Sequence, residues 1–262
     1  MKKVALKRNN SNLILDIPNN QITFLDSRFY KTGEGEYVPS VTTYLEAYPK
    51  SPQFFEWLKS VGKEADEIRD DAGRKGSNVH DLTERYDRGE EISLLDENGY
   101  IAYKLSEWQM FERYVEFRNN IQTSIIHNEL NLVSSSYKLG GTIDRVMQIN
   151  GQLLLVDIKT ANSLHPHYWL QLAAYEKLLK IKLDQAVDGI AILWLNAKTR
   201  TNGKGDVVQG KGWQLVTETD AYCIEQYWRR FQACQELWLA ENVEFKPKQL
   251  KYSLSHKHSI LK

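Results

Sequence analysis

The feature that most constrains the fold is a pair of apolar segments that carry charged residues where a protein core is expected. Residues 142–149 alternate apolar and polar side chains, and residues 153–158 are almost entirely apolar. Between them, Asn150-Gly151 is typical of a type I′ turn. The pattern therefore predicts a β-hairpin whose second strand is buried on both faces.

Three charged side chains interrupt this predicted hairpin. Asp144 lies on the first strand, Asp157 near the end of the second, and Lys159 two residues further on. Since residues i and i+2 of a strand point to the same side, Asp157 and Lys159 share one face. Buried charges are costly unless they are paired or bind a metal, and carboxylates suit hard cations such as Mg²⁺. An isolated Asp-x-Lys tripeptide also fits a salt bridge at the end of a sheet, so the surrounding sequence decides.

Two predicted helices supply further candidate site residues. The upstream sequence GSNVHDLTE places His80 and Glu84 one helical turn apart, on the same face. Downstream, the predicted helix 168–180 carries Gln171 and Tyr175 at the same spacing. Taken alone, His80 fits a structural role and Tyr175 fits the core. Their significance depends on their order relative to the charged hairpin.

The elements G-x-x-D, D-x-K and Q-x-x-x-Y, in this order, resemble the PD-(D/E)XK nuclease superfamily. The last element and the upstream histidine make the chain similar to the RecB-like branch, which includes phage nucleases and the mitochondrial genome maintenance exonuclease. The resemblance extends over roughly residues 76–179. The residues that carry it are His80, Gly141, Asp144, Asp157, Ile158, Lys159, Gln171 and Tyr175.

The resemblance implies an α/β fold with a restriction-endonuclease-like core, in which a central mixed β-sheet is flanked by helices. An N-terminal hairpin and helical additions precede this core. We expect a single nuclease domain over residues 1–262, with its core at about 76–217. The N-terminal hairpin and helical region would cover residues 1–75, and a C-terminal helix and basic tail residues 218–262.

The resemblance also implies which residues perform the chemistry. Asp144, Asp157 and Lys159 would be the catalytic residues. One or two Mg²⁺ or Mn²⁺ ions would be held by His80, Asp144, Asp157 and the main-chain carbonyl of Ile158. Lys159 would position or help to deprotonate the attacking water and would stabilise the phosphorane-like oxygens.

Four residues would support this site. By resemblance, Gln171 and Tyr175 would steady the active-site strands and contact the DNA backbone. Glu84 would either orient His80 from behind or be solvated. Glu129 lies on the strand before G-x-x-D, where it would either reach a metal through water or remain a solvated edge residue.

The implied activity is that of a metal-dependent DNA nuclease that leaves 5′-phosphate and 3′-hydroxyl ends. The sequence favours an exonuclease acting on single-stranded DNA or DNA ends in replication, recombination or repair, in a bacterium or a phage-infected cell. A helicase, a recombinase or a single-strand-binding protein would be a suitable partner. Two alternatives remain: a flap- or branch-specific endonuclease, and a catalytically silent DNA-binding module.

Composition limits which cofactor and which cellular compartment are expected. Lysine plus arginine and aspartate plus glutamate each total 34, so any DNA-binding surface must be a local patch. Cys223 and Cys234 are the only cysteines, whereas several RecB-like relatives hold an iron–sulfur cluster with four, so a cluster-free protein is expected. No apolar run approaches the length of a membrane span, which predicts a cytoplasmic protein without a membrane partner.

Four further segments also carry predictions. The predicted helix 63–88 is interrupted at residues 73–76, and a second long helix covers residues 98–119. The tail 246–262 has five lysines and no acidic residue, and is either solvated or a phosphate-binding segment. The pattern of the helix 53–60 favours core packing over a base-stacking platform. Its apolar residues are Phe54, Phe55, Trp57 and Leu58.

Overall fold

The computed structural model describes residues 8–9, 12–13, 21–24, 27–197, 200–201, 207–209, 212–243 and 247, so the basic tail lies outside the described residues apart from one position. The helices are α1 (Val41–Tyr44), α2 (Pro52–Val61), α3 (Ala65–Asp87), α4 (Leu105–Asn120), α5 (His167–Leu183) and α6 (Ala221–Glu241). The strands are β1 (Arg8–Asn9), β2 (Asn12–Leu13), β3 (Gln21–Phe24), β4 (Ser27–Lys31), β5 (Tyr37–Pro39), β6 (Thr123–Ser134), β7 (Leu139–Ile149), β8 (Gln152–Lys159), β9 (Gly189–Trp194), β10 (Arg200–Thr201), β11 (Val207–Gln209) and β12 (Gln214–Glu218).

A five-stranded mixed sheet forms the centre of the fold, in the order β12-β9-β8-β7-β6. Strands β8 and β9 are parallel, whereas the other neighbours are antiparallel. The predicted hairpin is β7–β8, and its turn has positive φ at both Asn150 (48°) and Gly151 (89°), as a type I′ turn requires. A smaller antiparallel sheet, β3-β4-β5, lies in the N-terminal region. The predicted α/β class with a mixed central sheet is confirmed.

Helices cover both faces of the central sheet. On one face, α1, α5 and α6 enclose a core that includes Leu155 of β8 and Ile192 of β9. On the other face, α3 and α4 pack against Leu154 and Val156 of β8 and against Leu193 of β9. Because successive strand residues point to opposite faces, a strand covered on both sides must be apolar throughout. This explains the continuous apolar run in β8.

Short local signals fix where several helices begin. The Ser40 hydroxyl accepts a hydrogen bond from the backbone N–H of Thr43 at 2.9 Å and caps α1. Ser51 caps α2 in the same way, with Pro52 at the first helical position. At α6, Asp220 accepts from the backbone N–H of Tyr222 at 2.9 Å. Among the described helices, none combines the length and the apolar character needed to span a lipid bilayer.

The predicted helix interruption is wrong, because α3 runs unbroken through Gly73 and Gly76. A glycine inside a helix costs only about 1 kcal/mol relative to alanine. Burial of Val79 against α4 and the sheet, together with the burial of Leu82, offsets that cost. The second long helix begins later than predicted, at Leu105 rather than at residue 98, because a turn precedes it.

The prediction that α2 packs into the core is also wrong. No residue of α2 is buried. The side chains of Phe54 and Phe55 are 37% and 50% exposed, and Trp57 and Leu58 are only partly covered. The core on the α5 face is instead filled by residues such as Tyr44 of α1, so the apolar side chains of α2 have no place there.

Candidate active site

The predicted site residues line one cleft of about 470 Å³ beside the β7–β8 hairpin. Strands β7 and β8 pair Arg145 with Val156, which places Asp144 and Asp157 side by side on the α5 face of the sheet. Helix α3 borders the cleft on one side, and α5 borders it on the other. The predicted side chains that line it are His80, Glu84, Glu129, Asp144, Asp157, Lys159, Gln171 and Tyr175.

A hydrogen-bonded group holds the two charges at the end of β8. Lys159 Nζ lies 2.7 Å from Asp157 Oδ2 in an ion pair. Gln171 Nε2 donates to Asp157 Oδ1 at 3.0 Å, while Gln171 Oε1 accepts from Lys159 Nζ at 3.2 Å. Tyr175 Oη lies 3.3 Å from Gln171 Nε2. Because one amide contacts both charged groups, α5 sets their position relative to each other.

The close approach of an aromatic ring explains the glycine in G-x-x-D. A methyl group on Gly141 would lie 2.4 Å from Cε1 of Tyr175, which is closer than any real contact. A methyl group on the preceding Gly140 would lie 2.5 Å from Cγ of Tyr30. Tyr30 Oη is in turn 3.1 Å from Thr142 Oγ1. Both glycines are therefore required for α5 and β4 to pack on β7.

His80 connects α3 to the ends of β7 and β8. Its Nε2 lies 3.0 Å from the carbonyl oxygen of Ile158, and its Nδ1 lies 3.5 Å from Asp144 Oδ2. A carbonyl oxygen can only accept, so this contact assigns the proton to Nε2. The same Asp144 oxygen accepts from the backbone N–H of Ile158 at 2.8 Å. In the neutral ring, Nδ1 is then the nitrogen with a free lone pair, and it faces Asp144.

Glu129 points into the cleft because of an unusual backbone conformation. Its φ is +50°, in the left-handed region that non-glycine residues rarely adopt. It lies on β6 close to a register shift between Ile125 and His127. Its carboxylate is anchored by Arg145 Nη1 at 3.2 Å. Such backbone strain at a functional cleft is typical of a residue whose position matters more than local stability.

The structure brings some of the predicted ligands closer together than others. One oxygen or nitrogen of each of His80, Glu129 and Asp144 lies within 4.8 Å of the other two. Because these atoms could hold one cation, we call the three residues the metal-binding group. Asp157 is outside this group and pairs with Lys159 instead. The Glu84 carboxylate, which also borders the cleft, forms an ion pair with Arg88.

Burial and mutual repulsion raise the pKa of two carboxyl groups of the cleft, those of Glu129 and Asp157. Burial raises the pKa of Glu129 to about 8, and the neighbouring Asp144 adds to this effect while Arg145 opposes it. Burial raises the pKa of Asp157 to about 6, with Lys159 opposing and Asp144 adding. For Lys159, burial disfavours the charge, but Asp157 and Asp144 outweigh it and raise the pKa. The cleft therefore concentrates negative charge that a bound cation would relieve.

The donor set fits a divalent metal ion. Carboxylate oxygens of Glu129, Asp144 and Asp157 with one imidazole suit Mg²⁺ or Mn²⁺, since these ions prefer oxygen ligands and Mn²⁺ accepts nitrogen readily. Asp157 Oδ2 is buried and, among the described residues, forms an ion pair without a hydrogen bond. An oxygen of this kind retains a lone pair that a metal ion can use.

Metal binding should release a proton from Glu129. With a pKa of about 8, Glu129 is largely protonated at pH 7 in the metal-free protein and must lose its proton to bind a cation. Affinity for Mn²⁺ should therefore rise with pH until Glu129 has titrated, and binding at pH 7 should release up to about one proton through this residue. Calorimetric titrations in two buffers of different ionisation enthalpy measure this number.

The variant Glu129→Gln should bind Mn²⁺ more weakly and release fewer protons. Glu112→Gln, on the exposed side of α4, is the matched control and should behave as the wild type. Equal proton release by the wild type and by Glu129→Gln would exclude Glu129 as a metal ligand.

Sequence reasoning missed a buried charge cluster on the opposite face of β7. Arg145, next to Asp144, points away from the cleft, and its side chain is fully buried beside Asp87 of α3. The signal was present in the sequence, because Arg145 is a charge within a strand that otherwise reads as core. Arg28 and Thr42, which also line the cleft, belong to the N-terminal region and carried no motif.

The α/β fold thus places two acidic residues and a lysine together at the end of one hairpin of the mixed sheet, an arrangement suited to phosphodiester cleavage. Residues 42–250 match the family model described as the PD-(D/E)XK nuclease superfamily, and the chain belongs to this superfamily.

The chain is also similar to a solved structure of a candidate exonuclease from Eubacterium rectale, with 12% sequence identity and a TM-score of 0.44. That similarity covers 85% of this chain and 90% of the other. No curated protein sequence matches the chain.

Proposed function

We propose that the protein is a metal-dependent DNA exonuclease of the RecB-like branch, which hydrolyses phosphodiesters in single strands or at DNA ends. The observation that carries the proposal is the arrangement around Asp157 and Lys159. One amide, that of Gln171, contacts both charges, and the metal-binding group lies in the same cleft. A solvated salt bridge at the end of a sheet would not need such support.

Each residue of the metal-binding group would supply one ligand atom to the cation. Glu129 and Asp144 would supply carboxylate oxygens, and His80 would supply the Nδ1 lone pair. Asp157 and the carbonyl of Ile158 complete the set that the family resemblance implies. The carbonyl accepts from His80, and its second lone pair would be available to a cation. A bound divalent ion supplies charge neutralisation at the phosphate and makes a coordinated water more acidic.

Lys159 would act mainly as a positive charge. Asp157 and Asp144 raise its pKa, so its ammonium group stays protonated at neutral pH. A protonated amine cannot accept a proton from water, but it can orient the attacking water and stabilise the oxygens that become negative in the transition state. This favours the electrostatic role of Lys159 over a role as general base, and the products would be 5′-phosphate and 3′-hydroxyl ends.

The test compares linear and circular DNA. The full-length protein is incubated with end-labelled single-stranded and duplex oligonucleotides and with a covalently closed single-stranded circle, in Mg²⁺, in Mn²⁺ and in EDTA. We expect metal-dependent degradation of the linear single strand from an end, with the circle intact. Cleavage of the circle would instead identify an endonuclease, the activity that acts on flaps or branches. DNA binding without cleavage in either metal would identify a catalytically silent module.

A further inference from the structure

Helix α2 presents a cluster of aromatic rings to solvent. Phe54 lies 5.7 Å from Phe55 and 5.9 Å from Trp57, measured between ring centroids. Phe54 and Phe55 are 37% and 50% exposed, and α2 has no buried residue. Exposed aromatic side chains that contact one another are typical of a binding surface.

A line of aromatic rings leads from the candidate active-site cleft toward the segment that precedes this helix. Lys159 Nζ lies over the ring of Tyr168, 4.6 Å from its centroid. Tyr168 contacts His167 at 4.7 Å, and His167 contacts Tyr48 at 5.8 Å. Tyr48 lies only six residues before Phe54. We use the name aromatic track for Tyr168, His167, Tyr48, Phe54, Phe55 and Trp57.

Positive charges accompany the aromatic track. Lys50 Nζ lies 6.0 Å from the centroid of Phe54, and Lys159 lies at the other end, over Tyr168. Burial lowers the pKa of His167 to about 4, and its neighbours His165, Lys159 and Lys50 contribute to this shift. His167 is therefore a neutral ring at pH 7.

Open space lies beside the inner end of the aromatic track. A second cleft of about 430 Å³ is bordered by Tyr168 and Lys159 on one side and by Ile68 and Lys75 of α3 on the other. His80 and Lys159 border both this cleft and the cleft that contains the metal-binding group, so the two openings are adjacent. A chain that leaves the cleft that contains the metal-binding group therefore has room to pass along Tyr168.

We propose that the aromatic track binds a single-stranded segment of the nucleic acid next to the scissile phosphate. Its bases stack on the rings, and Lys50 contacts its phosphates. Stacking on aromatic rings next to cations is how proteins bind single strands without sequence preference. A duplex cannot bind in this way, because the faces of its bases are covered by neighbouring base pairs. The inference rests on the nuclease function proposed above and adds the surface that binds the unpaired strand.

The test distinguishes stacking on the aromatic rings of α2 from simple contact with its apolar side chains. The double variant Phe54→Leu/Trp57→Leu keeps apolar side chains but removes the flat rings, whereas Phe54→Tyr/Trp57→Phe keeps rings at both positions. We expect the leucine variant to bind a fluorescent oligo(dT) single strand roughly tenfold or more weakly, as measured by anisotropy in EDTA. The ring-preserving variant should bind within about twofold of the wild type. Tyr222→Leu, at a 71% exposed position on α6, is the control.

An abasic oligonucleotide provides the reciprocal test. Removing bases while keeping the phosphates should weaken binding to the wild type by a similar factor, but should have little further effect on the leucine variant. The inference is overturned if the leucine variant binds the normal strand like the wild type, or if both double variants lose affinity equally. It is also overturned if the wild type sediments as a dimer that the leucine variant dissociates, because α2 would then be an interface between copies.

Cleavage of linear DNA by the wild type is measured separately in Mg²⁺ and Mn²⁺. Cleavage with unchanged binding by the leucine variant rejects only the aromatic track. Absence of wild-type cleavage with ring-dependent binding of the single strand rejects only the nuclease function. Melting curves of all variants verify that the exposed substitutions leave the fold intact.

Discussion

Replacing Lys159 with glutamine is expected to reduce phosphodiester cleavage by about a thousandfold or more. The Lys159 ammonium lies 2.7 Å from Asp157 and 3.2 Å from Gln171, at the edge of the cleft that contains the metal-binding group. Glutamine keeps most of the length of the side chain but removes its charge. The loss should appear in the chemical step, because the role proposed for Lys159 is to stabilise charge that develops only in the transition state.

The Lys159→Gln variant should still fold, because Asp157, which loses its ion-pair partner, can take up a proton. Burial already raises the pKa of Asp157 to about 6. Without the opposing Lys159 charge, the pKa should rise further, and Asp157 takes up a proton instead of remaining a buried unpaired charge. A raised folded-state pKa contributes stability that is present below the unfolded pKa and is lost as pH rises through the folded value. The melting temperature of the variant should therefore fall more steeply than that of the wild type above about pH 6.

The measurement is a single-turnover cleavage rate with saturating protein and an end-labelled single strand. Asp157→Asn should show a loss of similar size, because it removes the other half of the ion pair. Lys180→Gln, the same substitution at an exposed position of α5, is the matched control and should cleave at the wild-type rate. A near-wild-type rate for Lys159→Gln would mean that the D-x-K pair is structural and that the catalytic group lies elsewhere.

The central part of the fold could be predicted because its signals are local. The Asn150-Gly151 turn and the apolar run of β8 determine a hairpin from a few neighbouring residues. The positive φ of both turn residues confirms that prediction. The same reasoning brought Asp157 and Lys159 to one face, where they form an ion pair at 2.7 Å. His80 and Gln171 joined them only through the resemblance, since helical spacing alone does not say what a helix faces.

The mistakes concern properties that depend on the whole structure. Whether an apolar helix such as α2 is buried depends on what else fills the core, and Tyr44 and other residues already fill it. The break predicted at Gly73 and Gly76 ignored the packing that holds α3 straight. The position of Glu129, for which the sequence left two alternatives open, depends on a backbone φ of +50° that no pattern of residue types indicates. Long-range packing decided each of these features.

A buried cluster of charges on the face of β7 opposite the cleft was also hard to predict, because its residues come from three different elements. Arg145 Nε donates to Asp87 Oδ2 at 2.6 Å, and both side chains are fully buried. Tyr114 Oη donates to the same carboxylate at 2.5 Å, and Arg118 forms an ion pair with it. Arg145 also reaches Glu129, so the cluster connects α3 and α4 with the wall of the cleft.

Replacing Asp87 with alanine should lower the free energy of unfolding by about 3–5 kcal/mol, the usual cost of removing one partner of a buried ion pair. Arg145→Met should cost less. Asp87 would still contact Arg118 and Tyr114, and a carboxylate can become neutral, whereas a guanidinium stays charged at any physiological pH. The double variant should be more stable than Asp87→Ala alone, because it removes the stranded charge of Arg145.

Urea denaturation of the metal-free protein measures this double-mutant cycle. Asp66→Ala, which removes the exposed partner of Arg69 in α3, is the control and should cost less than about 1 kcal/mol. If Arg145→Met costs as much as Asp87→Ala, the loss reflects packing volume and not a stranded charge. If Asp87→Ala costs more than Arg145→Met, the cluster holds Arg145 in place. Arg145 in turn anchors Glu129 in the cleft. The stability of the buried face and metal binding at the catalytic face would then depend on the same arginine.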